Sequence, residues 1–137
     1  MKAEGLDKNF LFLPYQDKKD IPYSMTACDV SLVSVSEGME SLVAPSKLYP
    51  ALAAGRPIAV ICPNGNYLEE LVTSSNCGSA FRSGDSEGLS NFFHKLLSKR
   101  QLTQEMGYDA RRKLEQDFTP QAIGDSYFTV LQHSNRY

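Results

Sequence analysis

Residues 57–62, PIAVIC, contain no polar side chain and are rich in β-branched residues. A strand of that kind has nothing to offer water on either face, so it requires cover on both, as in the parallel sheets of α/β proteins. The residues before it, 46–55, form a short helix pattern with Leu48, Ala51 and Leu52 on one face and Gly55 as a C′ residue. Pro63 closes the strand, and a small-residue, loop-like approach over 38–45 precedes the helix. The stretch 38–63 therefore predicts loop, helix and buried strand in succession, and the rest of the chain is arranged around it.

Similar units flank it. Residues 9–13 (NFLFL) are short, apolar and aromatic, end at Pro14, and predict a buried strand. Asp20 can cap a short helix over 21–28, with Pro22 in its first turn. Residues 30–35 (VSLVSV) predict a second strand, 57–62 a third and 78–81 a fourth. Between the last two, a Pro63-Asn64-Gly65 turn leads into a helix over 67–74 carrying Leu68, Leu71 and Val72. Asp85 or Ser86 caps an amphipathic helix over 87–99, with Leu89, Phe92, Phe93, Leu96 and Leu97 inward. A charged helix over 101–117 has a narrow stripe of Met106, Ala110 and Leu114. Thr119-Pro120 opens a last helix, with Ile123, Phe128 and Leu131 on one side.

Strand and helix alternation of this order implies an α/β fold of Rossmann-like, three-layer α/β/α type with an open parallel sheet. With 137 residues the chain has room for one domain with a real core, so residues 1–137 are expected to form a single unit. The 42% hydrophobic and 22% charged fractions are those of a globular protein. A net charge of −2 argues against nucleic-acid or membrane-surface binding. No apolar run is long enough for a transmembrane segment, and the N-terminus lacks the apolar core of a signal peptide. Cys28, Cys62 and Cys77 match neither a zinc pattern nor a disulfide framework, which implies reduced thiols in a cytoplasmic setting.

In open sheets of this class, ligands sit at the carboxyl ends of the strands. The loops expected there are 14–19, 36–46, 63–67 and 82–86. The longest of these leads into Ser46-Lys47. A loop opening directly into a helix presents free backbone N–H groups suited to phosphate, and the Lys47 ammonium would add a charge-assisted contact. Ser46 can cap the helix or bond a phosphate oxygen. No Walker loop, metal cluster or Ser/His/Asp set is present, and His94 and His133 read as ordinary helix residues.

The motif order resembles that of the C-terminal, nucleotide-sugar-binding domain of the two-Rossmann-domain glycosyltransferases, of the retaining family-4 type (glycosyl transferases group 1). The resemblance lies in FLPYQDKKDIPYSMTACDVSLVS, in APSKLYPALAAGRPIAVI with its A-G-x-P turn, and in GNYLEELVTSSNCGSAFRSGDSEGLSNFFHKLL. It implies donor binding from a nucleoside-diphosphate sugar, without cofactor or metal, and Glu40 as the catalytic-site carboxylate that bonds the donor sugar. Glu37 is the rival for that role. It further implies donor or nucleotide contacts at Ser41, Leu42, Ser46, Lys47, Pro14, Tyr15 and Asn64. At the helix position where many members carry a second glutamate this chain has Pro50, and the matching upstream position is Leu42. The family's first β-α unit and its N-terminal acceptor-binding domain would lie before Met1. The chain is thus expected to be the donor-binding half of an enzyme, inactive alone and partnered by an acceptor domain that makes any membrane contact. The alternatives are a non-catalytic Rossmann-like partner module, or a degenerate copy, and a flavodoxin-like or receiver-like domain. The last lacks the paired acidic residues expected after the first strand.

Overall fold

In a computed structural model that describes residues 5–39 and 45–134, three parallel strands alternate with helices. The strands are β1 (Ser31–Ser34), β2 (Ile58–Ile61) and β3 (Gly78–Phe81), ordered β1-β2-β3. Ser31, Ile58 and Gly78 share one register level, and Ser34, Ile61 and Phe81 another. The helices are α1 (Ile21–Thr26), α2 (Leu48–Ala54), α3 (Tyr67–Ser74), α4 (Ser86–Ser98), α5 (Arg100–Asp117) and α6 (Pro120–Ser134). The architecture is α/β with an open parallel sheet.

The central strand behaves as its composition demands. Ile58 and Val60 enter a core with Val33, Leu48, Leu52, Leu68 and Val72. Ala59, on the opposite face, joins Phe81, Phe92 and Leu96. Both faces are therefore covered, α2 and α3 serving one and α4 the other. α5 bridges the two: Leu102 and Met106 pack on the second cluster, and Ala110 and Leu114 on the first. Burying a residue such as Leu52, which has no exposed surface, contributes about 1.5–3 kcal/mol.

Local chemistry sets the helix ends. Asn66 caps α3 by accepting from the Leu68 amide at 2.9 Å, and Asp85 caps α4 by accepting from Gly88 N–H at 2.9 Å. The Thr119 hydroxyl accepts from the Ala122 amide at 3.2 Å, ahead of Pro120. Gly55 adopts φ +63°, the left-handed conformation that ends α2. Its carbonyl lies so close to Gly107 of α5 that a Cβ at Gly107 would collide with it. Two bare backbones thus set the approach of α2 to α5.

Several expectations are corrected. Residues 9–13 form no strand: Asn9 ends a 3₁₀ turn, Asp7–Asn9, and residues 10–13 are 50–83% exposed. An apolar run becomes a buried strand only beside a neighbour, and among the described residues β1 pairs with β2 alone. Asp20 occupies the cap position of α1 with helical dihedrals and makes no side-chain cap bond; its carbonyl takes the Ser24 amide instead. Ser46 does not cap α2 either. That position falls to Lys47, also helical and without a side-chain cap bond. Pro50 then lies in the first turn, where its missing N–H breaks no helical bond. On α4, Phe93 is 41% and Leu97 84% exposed, because the sheet covers a narrower stripe than the apolar pattern offers. On α6, Ile123, Phe128 and Leu131 share the expected helix but are exposed.

Candidate functional site at the carboxyl ends of the strands

β1, β2 and β3 all point their carboxyl ends at one cleft of about 610 Å³. Ser34, Val35, Ser36 and Glu37 line it from the exit of β1. Ile61, Cys62 and Pro63 come from β2, and Arg82 and Ser83 from β3. Parallel strands make this convergence unavoidable, since each leaves the sheet on the same side.

Arg82, the first residue past β3, organises the floor. Its Nη1 donates to the Cys62 carbonyl at 2.7 Å. Its Nη2 donates to Glu69 of α3, 3.0 Å from Oε1 and 3.1 Å from Oε2. Glu69 Oε2 also accepts from Gly65 N–H at 3.0 Å, which fixes the 63–66 turn against α3. These bonds, the one from Arg82 foremost, hold the Glu69 carboxyl below its ordinary range. Burial pushes the neighbouring Cys62 thiol up, partly offset by the Arg82 charge. Asn66 is 5% exposed; its Oδ1 is engaged in the cap, while its Nδ2 is buried without an acceptor among the described residues.

The cleft thus combines three serine hydroxyls, one carboxylate, one anchored guanidinium and strand-end peptide groups. That donor and acceptor mix suits a polyhydroxylated or phosphorylated small molecule.

Of the site residues expected from sequence, Glu37 lines the cleft. Asn64 is exposed in the turn after Pro63, beside the rim, and Gly65 follows it with φ +69°. Ser46 and Lys47 are exposed in the turn before α2, which in a β-α-β path begins on the carboxyl side of the sheet. Pro14 and Tyr15 are exposed and are not among the lining residues. Glu40, Ser41 and Leu42 lie outside the described residues. Sequence reasoning placed 82–86 at this end but did not single out Arg82 or Glu69. The signal was present: an arginine immediately after a strand, and a glutamate three positions past the Asn66 cap. Among the described residues no cluster of three or more His, Cys, Asp or Glu side chains could hold a metal ion, and no helix is long and apolar enough to cross a membrane.

The sequence model of the family described as "Glycosyl transferases group 1" matches residues 1–113. A protein of Pseudomonas aeruginosa described as "Probable glycosyltransferase WbjE" is 35% identical over 66 residues. That match covers 48% of this chain and 16% of the relative, so the chain spans a small part of that relative's length. No solved structure matches.

Proposed function

Given that the chain belongs to the glycosyl transferases group 1 family, we propose that it is the donor-binding half of a retaining glycosyltransferase, holding a nucleoside-diphosphate sugar at the carboxyl ends of β1–β3. The observation that carries this reading is the cleft itself, where Glu37 and Arg82 face one space beside Ser34, Ser36 and Ser83. The donor sugar's hydroxyls are bonded by Glu37 or Glu40. Lys47 and Ser46 meet the diphosphate, with Ser41 and Leu42 beside them, and no metal takes part. The 63–66 turn, with Asn64, closes over the donor. Pro14 and Tyr15 serve the nucleobase. Stabilising negative charge on the departing diphosphate is the main electrostatic contribution. Transfer to a glycan or lipid-linked acceptor, in cytoplasmic polysaccharide biosynthesis, requires an acceptor-binding domain supplied in the same chain or another.

A titration with UDP, GDP and ADP followed by amide NMR tests this. With amides elsewhere unmoved, shifts are expected at residues 15, 34–37, 40–42, 46–48, 61–66 and 82–83. Unmoved amides there at millimolar nucleotide would sink the reading.

A second reading, a non-catalytic partner module, draws on the exposed apolar run at residues 10–13. It fits a chain that binds another domain and no nucleotide, and the same titration separates the two.

A further inference from the structure

A second cleft, of about 630 Å³, opens at the other end of the sheet, beside the residues that lead into β1 and β2. We propose that it binds a small amphiphilic anion, whose hydrocarbon or aromatic body lies on Phe93, Leu96 and Leu97 while Arg56 and Arg100 hold its carboxylate or phosphate head.

The apolar half comes from α4. Phe93, Leu96 and Leu97 stand three and four residues apart and so share one helix face. The face that packs on the sheet uses Phe92 and Leu96, which leaves Phe93 and Leu97 over the cleft with 41% and 84% of their surface exposed.

The charged half is unusual within this molecule. Arg82, Arg111 and Arg112 each form an ion pair with a carboxylate. Arg56 and Arg100 are the other described arginines, both line this cleft, and neither has a carboxylate partner among the described residues. Arg56 is anchored by donation from Nη2 to the Thr26 carbonyl at 2.7 Å, and its Nε is buried without an acceptor. Asp29 also lines the cleft. Two guanidiniums against one carboxylate leave a local positive charge in a chain whose net charge is −2.

An apolar floor with a cationic rim selects a ligand with both characters. Leu96 packs in the second core cluster and is 5% exposed, so Phe93 and Leu97 supply most of the apolar surface that a bound body meets. This site is separate from the donor cleft, lying across the length of the strands from it, and its occupancy does not depend on nucleotide binding.

Calorimetric titration with decyl phosphate below its micellar concentration tests the proposal, with decanol, and vesicles of phosphatidylcholine containing phosphatidate, as separate arms. Saturable one-to-one binding of decyl phosphate is expected. Arg100→Gln and Leu97→Gln should each weaken it about tenfold or more, a measurable loss of affinity. Both residues are exposed, so the variants should retain the parent melting profile. Arg112→Gln, which removes the same charge elsewhere, should leave affinity unchanged, and decanol should bind more weakly. Absence of saturable binding, equal weakening by Arg112→Gln, or binding to vesicles alone would overturn it.

Discussion

Arg82 and Glu69 join the exit of β3 to α3, with Nη2 of the guanidinium 3.0 Å and 3.1 Å from the two carboxylate oxygens. The remaining arms of the pair reach the Cys62 carbonyl and the Gly65 amide. One side-chain contact thus fixes three segments around the cleft at the carboxyl ends of the strands.

The pair carries a pH signature. Because Arg82 lowers the folded-state pKa of Glu69, the carboxylate contributes stability that is fully present above the ordinary glutamate value of 4.5. That stability is lost as pH falls through the depressed folded value. Arg82→Met should therefore lower the denaturant midpoint near neutrality and make the acid limb of stability shallower. Urea titrations from pH 3 to 7 on both proteins check this; parallel acid limbs would contradict it.

Glu37 and Arg82 face the same cleft, yet they should respond differently when replaced. Glu37→Gln removes a carboxylate from the rim without touching the core, so folding should be unchanged and donor-sugar affinity reduced. Arg82→Met should reduce affinity and melting temperature together. Calorimetric binding of a nucleoside-diphosphate sugar beside thermal melts separates the two outcomes.

The Gly55–Gly107 approach makes a sharper claim about stability. A Cβ at Gly107 meets the Gly55 carbonyl, which cannot move without shifting the end of α2. Gly107→Ala should destabilise by about 1–3 kcal/mol, the range for overpacking. Gly124 of α6 has nothing within 4 Å of its would-be Cβ. Gly124→Ala should have the opposite sign, about 0.5–1 kcal/mol of helix stabilisation. Denaturant unfolding measures the first, and helix content by circular dichroism the second.

The thiols should react in order of burial. Cys28 is half-buried, whereas Cys62 and Cys77 are buried. Burial pushes the Cys77 thiol up to about 11. Iodoacetamide at pH 8 should label Cys28 in the native protein and reach Cys62 and Cys77 only after unfolding. The raised value also has a linkage sign: the neutral thiol's contribution is fully present below pH 9.0 and is lost as pH rises toward about 11. Cys77→Ala should flatten that alkaline decline.

Elements bounded by strong local chemistry were readable from sequence. α3 and β3 occupy the expected residues because a turn, an asparagine cap and Gly78 delimit them. The strand expected over 9–13 is absent because an apolar run reports a demand for burial and says nothing about which neighbour supplies it. Phe93 and Leu97 followed a helical stripe wider than the sheet could cover. The Gly55–Gly107 contact joins residues far apart in the chain, and no local pattern encodes it. At the carboxyl-end cleft, the loops after β1, β2 and β3 were legible from topology, whereas the loop 14–19, which no strand precedes among the described residues, is not among the lining residues. The Arg82–Glu69 tie was not legible, because it depends on how α3 lies against β3.

The outer edge of β1 shapes how the molecule meets other chains. Ser31 and Val35 donate to carbonyls flanking and within β2, so in a parallel ladder the peptide groups of Leu32 and Ser34 point away from it. A segment of four residues with serines at both ends is a poor template for runaway fibril growth. An adhesive hazard at high concentration lies instead in the exposed run of Phe10, Leu11, Phe12 and Leu13, and a charged replacement at Leu11 should reduce it.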